Sequence, residues 1–295
     1  MKYTKPAKTF EEQADLLIER GLIAEREKLI RKLQNVNYYR LSGYLFPYKD
    51  KDEHFIEGTD FSKIWKFYNF DRKLRLLVFD AIERIEVKAR TSAAYHIAHN
   101  EGPFSYSEKR IFPRLNVDFD KWIASISDEY DRNQELFKNH FKLKYGDSHS
   151  LPPIWISVEI MSFGDVVRIF RSYDSSLSKE FARETKIPDK VLESWFLSLN
   201  YIRNICAHHS RLWNKMLSVK PLLPNSRKYK QWDIVDRYSQ SHIFVIIAIC
   251  SCFLKTIAPK SSWKNRIFDL LKEYPEVDIK EMGFPYGWKE FLEQI

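Results

Sequence analysis

Between Asp60 or Ser62 and His99 the sequence carries one long helical pattern. Phe67, Phe70, Leu74, Leu77, Val78, Ala81, Ile85 and Ala89 recur at three- and four-residue spacing, the period of an amphipathic helix. A stripe of that length has to be covered by other elements, and its period is matched by helices rather than by a pleated sheet. The 8 glycines and 12 prolines are few for an all-β chain of 295 residues with its many turns. The fold class is therefore expected to be all-α.

The remaining segments agree. Thr9 followed by Glu12 is a capping-box signature opening a helix that stops at Gly21, and a second helix runs from Glu25 through Leu33. Residues 35 to 49 hold Tyr38, Tyr39, Tyr44, Phe46 and Tyr48. They read as a packed aromatic turn region, with base stacking as the functional alternative. A loop with Gly102, Pro103 and Pro113 covers 100 to 118. Helices follow over Phe119–Tyr130, near Gln134–Tyr145, over Ile154–Tyr173 and over Ser178–Thr185. Pro188 opens the next one, 237 to 257 form a buried helix, and Ser262–Tyr274 another amphipathic one. The expected organisation is an N-terminal helical and aromatic segment (1–58), a helical core (59–258) and a C-terminal helical extension (259–295).

The chemistry concentrates in Tyr201–Asn214, YIRNICAHHSRLWN. On a helix of about 100° per residue, Trp195, Leu199, Ile202, Ile205, Cys206, Leu212 and Trp213 fall on one side. Asn200, Arg203, Asn204, Ala207, His208, Arg211 and Asn214 fall on the other. Lys and Glu serve solvation better than Arg, Asn and His, so this polar stripe reads as a site rather than a wetted face. By the same projection His208 is the chemical histidine, and His209 turns toward the apolar side as a structural one. Glu86 and Arg90, one turn apart, border the stripe of the long helix. They read as an ordinary i,i+4 pair, or alternatively as groups that orient the Arg203/His208 face from behind.

The net charge of +8 points to an anionic partner, with nucleic acid the first candidate. Lys215, Lys220, Arg227, Lys228 and Lys230, interleaved with Tyr229 and Trp232, suit a phosphate backbone with stacked bases; a solvated loop accounts for them equally well. The three cysteines make no framework, and the N-terminal residues lack the apolar core of a signal peptide. Ile243–Leu254, the longest apolar run, is too short to span a bilayer. A cytoplasmic protein without membrane contact is expected. Cys206, His208 and His209 lie close in sequence, but their offsets spread them around a helix. No HExxH or paired CxxC occurs, so neither a metal nor a cofactor is expected. His96 and His99, at the end of the long helix, read as cap or surface groups rather than ligands.

Four phrases occur in order over residues 37 to 214: NYYRLSGYLFPYK, FDRKLRLLVFDAIERIEVKAR, LPPIWISVEIMSFGD and YIRNICAHHSRLWN. Together they resemble the Abi (abortive-infection) family of bacterial phage-defence proteins. Arg203-Asn204-Ile205-Cys206-Ala207-His208 is similar to the Arg-Asn-x-x-x-His motif of HEPN ribonucleases. The resemblance implies a HEPN-like helical bundle with additional N- and C-terminal helices, a metal-independent endoribonuclease, and a homodimer that joins two motif faces. It implies that Arg203 and His208 are the catalytic pair and Asn204 the third motif position. Arg211, Asn214, Glu86 and Arg90 are carried as supporting residues.

The residue types fit that chemistry. Cleaving RNA without a metal needs a group that moves a proton near neutrality, which imidazole does. It also needs fixed positive charge where the phosphorane forms, which a guanidinium supplies. An unregulated nuclease is toxic, so a regulatory small RNA, an antitoxin or a phage-derived trigger is expected as a partner. The rival reading is a non-catalytic RNA- or partner-binding helical protein that uses the same Arg/His face as a phosphate clasp. A third makes the polar face a structural dimer seam.

Overall fold

The computed structural model describes residues 6–132, 136–225 and 227–295. The described residues are mostly α-helical and form no strand; two isolated bridges, Ile23 with Asp60 and Lys49 with Phe55, are the only β pairing. The chain is all-α, as its periodicity predicts. By contact it divides into two units, one of 1–75 with 267–277, the other of 76–266 with 278–295.

In the first unit, α1 (Phe10–Glu19) opens with the reciprocal Thr9–Glu12 capping box read from the sequence. α2 (Arg26–Asn35) packs against it. The aromatic region is largely helix rather than turn. Asn37 accepts the amide of Tyr39 through its side chain and starts α3 (Tyr38–Leu45), with a 3-10 turn over Phe46–Tyr48. Tyr44 is buried and its hydroxyl donates to Asp71 at 2.5 Å, while Tyr39 and Phe46 are exposed. Asp71 also takes Arg75, so a buried carboxylate is shared by a phenol and a guanidinium.

The long stripe forms α4 (Phe61–Asn100), a 40-residue helix whose residues belong to both units. Its buried positions run Ile64, Phe67, Phe70, Leu74, Val78, Ile82, Ile85, Ala89, Ala93 and Ile97. Asp71, Arg75, Glu86 and Arg90 are buried within that stripe, not beside it. Two i,i+4 pairs, each with the acid N-terminal to the arginine, neutralise them.

The second unit continues with α5 (Phe119–Arg132) and α6 (Leu136–Tyr145); the helical start expected at Gln134 lies outside the described residues. The single helix expected over Ile154–Tyr173 is two, α7 (Ile154–Ile160) and α8 (Phe163–Ser172). Ser162 and Asp165 form a capping box that starts α8, so the chain must leave helical geometry just before it. Next come α9 (Ser175–Thr185) and α10 (Asp189–Ala207), the helix carrying the motif. The buried helix expected over 237–257 is likewise interrupted: α11 (Arg237–Gln240) precedes α12 (Ile243–Ile257). α13 (Trp263–Glu273) and α14 (Trp288–Gln294) complete the helices, with Trp263 donating to the Leu77 carbonyl at 2.6 Å. Among the described residues no helix is long and apolar enough to cross a membrane.

Candidate functional site

Pro188 is the N-cap of α10, where a missing amide hydrogen is harmless, and Asp189 in the first turn suits the positive end of the helix dipole. Val191, Leu192, Trp195, Phe196, Leu199, Ile202, Ile205 and Cys206 are buried, the apolar face the sequence predicts. Asn204 and His208 are exposed; Asn200, Arg203 and Ala207 are half-buried.

The helix stops at Ala207, seven residues before Asn214, the last residue of the helical projection. His208 is the C-cap, its amide donating to the Asn204 carbonyl at 2.9 Å. His209 takes the left-handed conformation, φ 55°. Its amide donates to the Cys206 carbonyl at 3.0 Å, and the Ser210 amide reaches the Ile205 carbonyl at 3.0 Å. This double closure is the Schellman arrangement, here with a histidine where glycine is usual. His209 is consequently exposed, not packed on the apolar side. Arg211 and Asn214 lie beyond the helix, so they do not continue its polar stripe; both are half-buried. Leu212 and Trp213 are buried and anchor the segment between them.

The chain then runs back along α10. Tyr201 meets Ser218 at 3.4 Å, and farther toward Pro188 the Leu222 amide donates to Ser194 at 2.8 Å. Lys215 and Lys220 ride on this returning segment. Arg227, Lys228 and Lys230 belong to the opposite end of the helix. There Lys228 and Tyr229 line an open groove of about 530 Å³ with Lys179, Arg183 and Lys186, next to Pro188. At about 1.5 Å per residue, the 19-residue helix separates that groove from His208 by roughly 28 Å. Trp232 stacks no base: it is buried between Trp195 (5.2 Å) and Phe291 (5.3 Å).

Behind Arg203 stands the Glu86–Arg90 pair. Glu86 holds Arg90 through one carboxylate oxygen and presents the other to the Arg203 Nε at 3.7 Å. Arg90 also donates to the Val158 carbonyl, one of the last-turn carbonyls of α7 that has no partner within its helix. Three helices are thereby tied to one carboxylate: α7 through Arg90, α4 through its own backbone, and α10 through Arg203. The Arg203 Nε is buried with no hydrogen bond, its Nη1 lies 3.4 Å from the Asn204 side-chain oxygen, and about a third of the side chain (34%) is exposed. An arginine held by its stem, with part of its fork open, can receive an anion without first being desolvated. The Arg203-Asn204-Glu86-Arg90 grouping is the part of the expected site that the fold assembles.

His96 sits elsewhere, its Nδ1 2.5 Å from Glu180 and its Nε2 near Ser176 (2.9 Å) and Asn100 (2.8 Å). His99 bonds the Tyr95 carbonyl. Both are satisfied locally. Cys206 is buried while His208 and His209 are exposed, so the three do not converge. Among the described residues no three His, Cys, Asp or Glu side chains are grouped as metal ligands are.

Sequence reasoning passed over Arg114, Arg168 and Arg171, which gather around Asn200 on the same helix. The available signal was the Ser162–Asp165 capping box, which sets the phase of α8 and hence the side on which Arg168 and Arg171 emerge.

No curated protein and no solved structure matches the chain. Residues 31–214, well over half of it and including every element of the grouping just described, match the family described as Abi-like protein. The family suggests a role in abortive infection, and the chain belongs to it.

Proposed function

We propose that this Abi-like protein is a metal-independent endoribonuclease whose toxicity to the host cell serves phage defence. The observation that carries the reading is the Arg203 side chain, braced by buried Glu86 and partly open to solvent, on the same helix end as exposed His208. Arg203 binds the scissile phosphate and stabilises the charge of the phosphorane. His208 takes the proton of the 2′-hydroxyl or returns one to the leaving 5′-oxygen; attack of the 2′-oxygen on phosphorus breaks the P–O5′ bond and leaves a 2′,3′-cyclic phosphate. Asn204 donates its amide to a phosphate oxygen. The similarity of Arg203–His208 to the HEPN motif supports this assignment. It brings with it RNA as substrate, a homodimer joining two motif faces, and a regulatory small RNA or antitoxin as a silencing partner.

The test is cleavage of single-stranded RNA by the wild type, His208→Ala and Arg203→Ala, with and without EDTA. His208→Ala abolishes cleavage and Arg203→Ala nearly does, both fold as the wild type does, and EDTA has no effect. Undiminished cleavage by the His208 variant removes the assignment. Tight RNA binding with no cleavage by the wild type would leave the phosphate clasp in its place.

A further inference from the structure

The polar stripe of α10 continues past Arg203 toward Asn200, and there the surface opens into a cavity of about 290 Å³ between α8, α10 and the segment before α5. Arg114, Arg168, Arg171, Asn116 and Asn200 supply its polar lining, and no carboxylate is among its lining residues. Gly164 lies on its wall, where a Cβ would make ordinary contacts with the Ser162 hydroxyl (3.4 Å) and the Asn200 side-chain nitrogen (3.5 Å). Two of the arginines are committed as walls. Arg114 donates to the Tyr173 carbonyl at 2.7 Å and to Glu193 at 3.2 Å. Arg168 pairs with Asp165 at 2.5 Å and lies over the Trp122 ring. Arg171 is exposed and pairs with no acidic group among the described residues, so its full charge is available to a ligand. One uncommitted guanidinium, two braced ones and two neutral amides describe a receptor for an anion that also offers hydrogen-bonding edges.

Asn200 lies three residues from Arg203 and four from Asn204, one helical turn of about 5.4 Å away along the same face. That spacing is comparable with the step from one phosphate to the next along a nucleic-acid strand. We propose that the cavity seats the phosphodiester next to the scissile one, with Arg171 on its phosphate and Asn200 and Asn116 on the attached ribose. A 2′-hydroxyl is both donor and acceptor, so two amides there favour RNA over DNA. The assignment of this phosphate as a neighbour of the scissile one rests on the ribonuclease reading of Arg203.

The test uses the full chain carrying His208→Ala, so that binding is read without cleavage, and a fluorescent single-stranded oligoribonucleotide. Arg171→Ala and Arg171→Glu weaken binding roughly tenfold or more, the effect of losing one charge-assisted contact. The slope of log affinity against log salt falls by about 0.7, the value for one phosphate of a single strand. Arg171→Lys recovers part of the affinity. In the otherwise unaltered protein the same variants raise KM more than they lower kcat, and the penalty is larger on the oligonucleotide than on a dinucleoside monophosphate. Unchanged affinity and salt slope in the Arg171 variants, beside cleavage that still requires His208, overturns the cavity assignment alone. Failure of the wild type both to bind and to cleave RNA overturns it together with the ribonuclease reading. Titration with inorganic phosphate and adenosine monophosphate separates the remaining source: Arg171-dependent binding of either, with RNA binding indifferent to Arg171, makes the cavity a free-nucleotide site and overturns the proposal.

Discussion

Glu86 offers the sharpest separation between holding the fold and holding the site. It is 9% exposed, as is Arg90, and its two oxygens face two guanidiniums. Replacing it by alanine leaves Arg90 and the Arg203 Nε buried without their countercharge. Removing one partner of such a pair costs about 3–5 kcal/mol. Glu86→Gln keeps the shape and one acceptor but turns an amide toward one of the guanidiniums, costing about 1–3 kcal/mol. At roughly 2–4 °C per kcal/mol for a domain of this size, the alanine variant melts about 6–20 °C lower. Glu86→Leu with Arg90→Met restores part of the loss, because a buried ion pair exchanged for apolar groups of similar volume is close to neutral, while the Val158 carbonyl and the Arg203 Nε stay unpaired. That double variant still lacks the group that aims Arg203. The assay is therefore paired: thermal and urea unfolding beside RNA cleavage. Recovered stability with cleavage still reduced, and kcat more than KM, makes Glu86 a positioning residue. A Glu86→Ala penalty under about 1 kcal/mol, the size of a surface pair, would refute the buried geometry. Full activity in the double variant would refute positioning.

Three further outcomes follow from single residues. Tyr44→Phe removes the phenol from buried Asp71 and costs about 1–3 kcal/mol; an unchanged urea midpoint would show that the hydroxyl contributes nothing. His209 sits in the left-handed region, so His209→Val costs about 1–2 kcal/mol or more, whereas His209→Gly keeps that backbone conformation without strain. The glycine variant still cleaves RNA, and loss of cleavage there would shift the acid–base role from His208 to its neighbour. Burial pushes the Cys252 thiol up to about 11, and that of Cys250 higher still. Because the raised group is an acid, its reactive thiolate is scarce until the pH approaches that value. Iodoacetamide labelling of Cys252 in the native protein at pH 8 is about a hundredfold slower than for an ordinary thiol and accelerates with alkalinity. Rapid labelling of Cys250 or Cys252 at neutral pH would contradict the burial.

The apolar periodicities of α4 and α10 were legible in the sequence because each residue reports its own burial, and Thr9–Glu12 because a capping box is local. What failed to read has physical causes. The end of α10 was invisible because His209 occupies the position where glycine would have punctuated the pattern. The break between α7 and α8 hid because Met161 and Phe163 flank Ser162 with apolar groups that keep the helical period. Glu86 and Arg90 looked like a rim because charge argues for exposure. Their burial depends on each other, on Arg203 and on a Val158 carbonyl 68 residues from Arg90, and a backbone acceptor leaves no mark in a sequence. The arginine cavity is lined from α8, α10 and the segment before α5, a packing fact that spacing along one helix cannot express.

The position of the motif at the end of α10 sets an electrostatic requirement. The last turn of a helix presents carbonyls and the negative end of its dipole, the reverse of the N-terminal sites that bind phosphate through backbone amides. A phosphate brought to His208 gains nothing from the helix itself. Arg203, five residues earlier on the same helix, supplies one fixed cation near that end, but Glu86 behind it offsets part of that charge at 3.7 Å. One Arg203 alone is therefore a weak anion receptor, and on the proposed ribonuclease reading the positive charge that a strand of RNA would need has to come from groups beside it. Two sources fit: a second motif face in a homodimer, and the Arg171 cavity one turn along the same helix. They differ in what they ask of the RNA. A second face adds charge at the scissile phosphate and serves even the shortest substrate, whereas the cavity acts only on a strand that extends beyond the cleaved bond.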